Sequence, residues 1–362
     1  MLAETGIIVG GTAVAAGTLA IVAYKNLQEG SYLYVNARIA SRSSERISQQ
    51  KYVQLAHLSH LKDVVSALRE TSYYPYLEQN NGHDVLSYDK ALEEAQIHAF
   101  EEMKKLSPAR LHPVLDAYGL RFETPFLKAI FRSLFTKKVL DTKYLPTAGV
   151  NPLFVQRLST AKTLGDLAVI LHNSPYQGLL DTSYPTIEAF DVALDKHVYC
   201  ILEKSLSKLR TFDAQSLRDL FVYENSIDNI LSLIRIRLRG IDWKLVTGET
   251  VGFYDVYGVL LDDALRAPSM KAFVELFKDT PLYDTLKHTL ATAGEKNVRA
   301  YEHALISAKI KYVNDNNVGK STSPYSIFAY LMHIGYERRN LLVVAKAVTG
   351  GIPKEDVQEL IV

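Results

Sequence analysis

The sequence has one cysteine, Cys200, in 362 residues. No disulfide can form within the chain, which fits a reducing compartment. Nothing around Cys200 points to an activated thiol, so it reads as a small buried apolar residue. Net charge is also nearly absent: 41 Lys and Arg stand against 40 Asp and Glu, leaving +1. That excludes the basic face a nucleic-acid binder needs. Alternating apolar and polar runs are scarce, which excludes a sheet-based fold. Low-complexity stretches are missing too, and so is any Gly-x-Gly-x-x-Gly phosphate loop.

Long hydrophobic runs are present once. Gly6 through Tyr24 is nineteen residues without a charge, close to the ~20 that a helix needs to cross a bilayer. Arg38, Arg42 and Arg46 follow it, and no Lys or Arg precedes it. This bias predicts a membrane anchor with the body of the chain in the cytoplasm. An interfacial apolar helix and a cleaved signal are the alternatives, although the basic stretch that opens a signal peptide is lacking.

Helical periodicity fills the rest. Ile227, Ile230, Leu231, Ile234 and Leu238 recur at steps of three and four, with Asp228, Arg235 and Arg239 mostly off that stripe. Leu58, Leu61, Val65 and Leu68 follow one helical stripe, and Phe273, Leu276 and Phe277 another. Ser323-Pro324 offers an N-cap and a proline at the first helical position. Gly350-Gly351 stops the helix carrying Lys346, and Pro353 opens a last short one.

One pattern returns three times: Glu123–Arg132, Ser226–Arg235 and Glu337–Lys346. Each puts a cation six residues after Phe126, Asn229 or Asn340, and those positions are 103 and 111 residues apart. A second pattern, Ser72-Tyr73-Tyr74, Ser174-Pro175-Tyr176 and Thr280-Pro281-Leu282, steps by 102 and 106. Two patterns sharing one period predict an all-α chain of three similar units. Linkers near Asp141–Pro152 and Gly240–Gly252 divide it into 1–29, 30–146, 147–246 and 247–362.

Candidate chemistry fails at each place it is sought. Asn317-Val318-Gly319-Lys320-Ser321 ends like a phosphate-binding loop, but Asn314 stands where its first glycine is required. Asp262-Asp263 suggests a magnesium-binding pair, but Arg266 occupies the second acidic site and would oppose the metal. His57 and His60, and the set Glu94, His98 and Glu101, have metal-ligand spacing without a matching second set. The sequence therefore predicts no catalytic residue, cofactor, metal or small-molecule substrate. The 22 tyrosines, among them Tyr73, Tyr74, Tyr76, Tyr254 and Tyr257, suit helix packing or interfaces.

Several stretches carry a resemblance: Tyr34-Val35-Asn36-Ala37-Arg38; Tyr223-Glu224, Asp228-Asn229-Ile230 and Arg235-Ile236-Arg237; and Ser323-Pro324, Ala329-Tyr330-Leu331, Tyr336-Glu337, Asn340-Leu341, Lys346 and Gly350. Over roughly residues 30–362 the chain resembles the C subunits of archaeal A-type ATP synthases, the counterparts of the d subunit of the vacuolar proton pump. The resemblance implies a funnel of three helical domains with pseudo-threefold symmetry and no catalytic site. It implies a central-stalk rotor component at the cytoplasmic face of the membrane. The implied partners are the shaft subunits D and F, the proteolipid ring and, through the amino-terminal helix, lipid. The alternatives are a membrane-anchored helical scaffold with another partner and, further off, a helical metal-dependent transferase. Tyr34, Asn36, Arg38, Glu224, Asn229, Arg235, Glu337, Asn340 and Lys346 are the candidate structural or interface residues. Asn36/Arg38, Asn229/Arg235 and Asn340/Lys346 are expected at equivalent places, tying helices through buried hydrogen bonds.

Overall fold

A computed structural model describes residues 30–80, 82–138, 149–209, 211–238, 240 and 261–362. The apolar run at 6–24, Tyr254, Tyr257 and most of both expected linkers lie outside these residues. The described chain is helical, with no strand. In order the helices are α1 (Leu33–Ser43), α2 (Gln49–Ala56), α3 (Leu61–Ala67), α4 (Tyr74–Gln79), α5 (Val85–Leu106), α6 (His112–Thr136), α7 (Pro152–Ser159) and α8 (Leu164–Leu171). There follow α9 (Ile187–Leu206), α10 (Thr211–Leu238), α11 (Leu261–Arg266), α12 (Met270–Glu275), α13 (Tyr283–Ala293), α14 (Val298–Asn317), α15 (Tyr325–Val348) and α16 (Val357–Leu360).

The long helices α5, α9 and α14 each begin on a side-chain cap. Asp84 accepts from the N–H groups of Leu86 and Ser87, Thr186 from Ala189, and Asn297 from Ala300. Each cap satisfies donors that the first helical turn leaves open. Each of these helices packs along a second long helix from elsewhere in the chain: α5 along α15, α9 along α6, α14 along α10.

Buried apolar side chains form four clusters. The first joins the short helices α2–α4 (Tyr52, Val64, Leu77) to the start of α5 (Tyr88, Leu92) and the end of α15 (Leu341, Val344). The second joins the end of α6 (Phe126, Phe131) to Leu158, Leu167, Tyr176 and the start of α9 (Phe190, Leu194). The third joins the end of α10 (Ile227, Ile230, Ile234) to Phe273, Phe277, Leu282 and the start of α14 (Tyr301, Leu305). The fourth is a hub to which all six long helices contribute, from Met103 and Leu115 to Leu206, Phe221, Val313 and Phe328. Each such side chain contributes roughly 1.5–3 kcal/mol on burial. The long helices therefore work twice, one half in the hub and the other in an outer cluster. In α6 the change falls near Pro125, which has no N–H for the helical ladder. The sequence repeat and the packing unit are offset by one helix: each closing long helix packs with the short helices that follow, and α15 returns to the first set.

Local expectations shift in two places. The stripe Leu58–Leu68 is not one helix. His57 caps the end of α2, and His60, with extended backbone (φ −135°, ψ 148°), opens α3. His57 and His60 thus do not share a helix face. At Ser323-Pro324 the helix begins one residue late, with Pro324 as N-cap, while the Ser323 hydroxyl accepts the Tyr325 N–H at 3.2 Å. Gly350 does end α15 in a left-handed turn (φ 79°), with Gly351 N–H donating to Lys346 O at 2.7 Å.

Candidate functional site

Helical phase puts equivalent residues of the repeated pattern in equivalent environments. Phe126 on α6, Asn229 on α10 and Asn340 on α15 are 0%, 3% and 2% exposed. The next buried pairs, Ile130-Phe131, Leu233-Ile234 and Val344-Ala345, keep the same register, and Arg132, Arg235 and Lys346 are exposed in all three. Asn36 and Arg38 do not join this set. They sit on the eleven-residue α1 beside the hub, and Phe126 fills the first place instead.

The amides do different things. Asn36 donates to the carbonyls of Ser321 at 2.7 Å and Ser323 at 3.0 Å, fixing the loop before α15. That loop contains the phosphate-loop-like segment; it follows helix α14 and its carbonyls are spent on Asn36. Asn340 grips one backbone unit from both sides, donating to Val362 O at 2.7 Å and accepting Val362 N–H at 3.1 Å. His303 holds the neighbouring Ile361 O at 2.9 Å. Asn229 has no partner for its buried Nδ2.

The cations bridge paired helices. Arg132 reaches Asp191 on α9 at 3.4 Å and Arg235 reaches Glu302 on α14 at 2.6 Å. On α15 it is Arg338, not Lys346, that meets Asp89 of α5 at 2.8 Å. Arg38 and Arg42 share Glu102. Tyr34 is exposed and makes no described hydrogen bond.

The second pattern also has a geometric meaning, in a register shifted by one residue in its first copy. Thr71, Ser174 and Thr280 each turn a hydroxyl back to a carbonyl three residues earlier, at 2.7, 2.7 and 2.8 Å. Two residues on stand Tyr73, Tyr176 and Leu282. Tyr73 donates its hydroxyl to Glu337 at 2.7 Å, and Tyr176 to Glu123 at 2.8 Å. These are the leading glutamates of the first pattern, so the two repeats are two ends of one contact. The third copy has Ser226 and Leu282 at the corresponding positions and no such bond. Burial pushes the Glu337 carboxyl up, while the Tyr73 hydroxyl, the Ile47 N–H and Arg46 pull it back. Glu123 is raised for the same reason, opposed by Tyr176.

Glu224 belongs to a different contact. It accepts from Arg121 of α6 at 2.6 Å, and Lys309 of α14 stands 3.9 Å away and bonds Asp228 at 3.1 Å. Arg121 also lies over the rings of Tyr118 and Phe221, at 4.8 and 5.7 Å from their centres. Burial opposes the Glu224 charge, but Arg121 and Lys309 hold its carboxyl below the usual range. Burial likewise opposes the charge of Lys309, yet Asp228, Tyr336 and Glu224 keep it raised. Sequence reasoning missed Arg121 and Lys309. The signal for Lys309 was present: Tyr301, Leu305, Lys309 and Val313 recur every fourth residue, placing a lysine in an otherwise apolar, fully buried stripe.

The discarded chemical candidates stay scattered. Glu94 accepts from Asn80, and Asp263 and Arg266 are exposed on the six-residue α11. Among the described residues no group of three metal-ligating side chains comes together.

Known proteins share this chain's pattern along almost its whole length. The family model of the ATP synthase (C/AC39) subunit matches residues 35–360. A protein of Thermococcus onnurineus, named as the C subunit of an A-type ATP synthase, is 26% identical over 347 residues, covering 91% of this chain and 90% of its own. Its namesake from Desulfurococcus sp. is 28% identical over 345 residues, with the same coverage of both chains. That of Pyrococcus horikoshii is 24% identical over 367 residues and covers 97% of each.

Proposed function

The chain belongs to the ATP synthase (C/AC39) subunit family, and from that we propose that it acts as the C subunit of an A-type ATP synthase. In this reading it is a non-catalytic part of the central stalk. It couples a shaft of D and F subunits to the membrane proteolipid ring, passing torque between ATP chemistry and ion flow. The observation that supports this best is the match from 35 to 360, which runs without interruption through all three outer clusters and the hub. Three outer clusters of one plan, set on helices that share a hub, suit a pseudo-threefold funnel. Densely packed helices crossed by ion pairs resist twisting, as a torque coupling must.

The same reading puts the protein at the cytoplasmic face of the membrane. Among the described residues no helix is long and apolar enough to cross a bilayer. An anchor, if the chain uses one, is the segment 6–24. The test is purification of a tagged chain from gently solubilised membranes, with identification of what accompanies it. Shaft, ring and catalytic A-type subunits in constant ratio are the expected result. Full recovery of the chain without them would overturn the proposal. Deleting residues 1–29 and repeating the preparation separates the anchor from the complex: loss of membrane association with an intact soluble assembly would assign the anchoring to that segment.

A further inference from the structure

Helix α1 has two unlike sides. Val35 and Ile39 are buried in the hub, and Asn36 between them holds the loop before α15. The other side is open: Leu33 is 50% and Tyr34 70% exposed, and Ala37, Ala40 and Ser41 continue the same face. The helix contains no Asp, Glu or Lys, and its two arginines, Arg38 and Arg42, both reach Glu102 of α5. The loop that Asn36 holds begins at Val318, which is 81% exposed. Single exposed apolar residues are ordinary. A helix face turned to water normally carries charge, and this one presents leucine, tyrosine and alanine instead. Chain continuity indicates what covers it. The uncharged run Gly6–Tyr24 ends nine residues before Leu33 (33 − 24 = 9). Nine residues reach at most about 30 Å. A run that crosses a bilayer therefore holds this face close to the membrane surface. Tyrosine suits that boundary, with its ring among the acyl chains and its hydroxyl in water. Arg38, at the edge of the face with its side chain 49% exposed, is placed to extend towards headgroups.

We propose that the exposed face of α1, led by Leu33 and Tyr34, lies on the bilayer surface, so that its partner is lipid. The proposal rests on residues 6–24 crossing the membrane and not on membership of the ATP synthase complex. An interfacial helix buries its apolar side at the boundary of headgroups and acyl chains. The opposite side of α1 is fixed in the hub, so the hub stands on the membrane through a rigid helix. Its orientation is then set by two contacts, the anchor and α1, instead of by a linker alone.

The test is a nitroxide label on Tyr34→Cys in the full chain carrying Cys200→Ser. The chain is reconstituted alone into vesicles of phosphatidylcholine and phosphatidylglycerol. Collisions with oxygen, which concentrates in lipid, are compared with collisions with a water-soluble nickel chelate. Oxygen should prevail at position 34. Nickel should prevail at Val169→Cys, an equally exposed apolar position on α8. Ala37→Cys gives a second reporter on the same face should the first variant fail to fold. Adding Leu33→Glu should lift the face away and raise nickel collisions at position 34 severalfold. Nickel prevailing there without that change would overturn the proposal, leaving the face open to water. Few collisions with either reagent would overturn it too, because a second copy of the chain would then cover the face. Failure of the chain to float with the vesicles would overturn both this proposal and the anchor. No other subunit is present, so the place of the chain in the complex is decided separately, by co-purification.

Discussion

The first and second outer clusters are closed by a buried tyrosine on a half-buried glutamate; the third has Leu282 and Ser226 at the equivalent positions and no such bond. The turn is the same in all three, the hydroxyl of Thr71, Ser174 or Thr280 bonding the carbonyl three residues earlier. The polar tie is therefore not what makes the turn or the helix pairing. It is an addition to a cluster that holds by apolar burial. The third cluster spends its charge elsewhere, on Glu224, Arg121 and Lys309, which link α10 to α6 and α14 rather than to its own short helices. Two clusters are pinned within themselves, and the third is pinned to its neighbours.

Removing the neighbour tie is the strongest way to break this contrast. Glu224→Ala leaves the buried Lys309 and the half-buried Arg121 with one carboxylate fewer, and should cost about 3–5 kcal/mol. Chemical denaturation measures it. A loss below ~1 kcal/mol would mean the third cluster stands alone and the comparison fails. Glu224→Gln keeps the shape and separates the charge from the packing.

The next effect is read through pH. Glu93 on α5 is 8% exposed, and burial raises its carboxyl to about 7, with Arg338 opposing. A carboxyl raised in the folded state favours folding while protonated. Its contribution is complete below the ordinary value of 4.5 and is lost as pH rises through about 7. Glu93→Gln should therefore match the wild type near pH 4 and exceed it by up to about 3 kcal/mol at pH 8. Urea midpoints at both pH values decide this, and equal differences at the two would refute it.

The tyrosines sharpen the comparison at a smaller scale. Tyr73→Phe and Tyr176→Phe each leave a half-buried carboxylate without its tyrosine donor and should cost about 1–3 kcal/mol. Leu282→Phe, an apolar change in the cluster without the tie, should show only the cost of overpacking. The discriminating measurement is the pH dependence of the loss. It should appear in the two tyrosine variants, as Glu337 or Glu123 titrates, and be missing in the third.

How far such contacts can be read in sequence depends on whether they repeat. The register Phe126–Asn229–Asn340 was legible because three helices present the same buried and exposed phases. The Tyr–Glu tie lay in two recognised patterns, but no sequence joins Tyr73 to Glu337, since α15 packs on the short helices at the opposite end of the chain. Asn36, with Arg38 two residues on, does not share the six-residue spacing of Asn229/Arg235 and Asn340/Lys346, and residue type alone grouped it with them. Its true equivalent, Phe126, is apolar and advertises nothing. The cluster of Arg121, Glu224 and Lys309 comes from three separate helices and occurs once, so repetition could not reveal it. Only the lysine breaking a four-residue apolar rhythm was visible.

The smallest prediction concerns the exposed cations of the repeat. Arg235 makes two hydrogen bonds to a single oxygen of Glu302, at 2.8 and 2.6 Å, and Arg132 a longer bond to Asp191 at 3.4 Å. Lys346, at the same register position, forms no ion pair among the described residues, because Arg338 has taken Asp89 two turns earlier. Exposed pairs are worth little, about 0.2–1 kcal/mol. Arg235→Ala should sit near the top of that range, Arg132→Ala near the bottom, and Lys346→Ala near zero. High salt should erase the differences, since screening acts on exposed charges first. A clear stability loss in Lys346→Ala would show that the three copies of the pattern share one structural duty after all. Unchanged stability leaves position 346 as an open cation on a repeat whose helix tie has moved to Arg338.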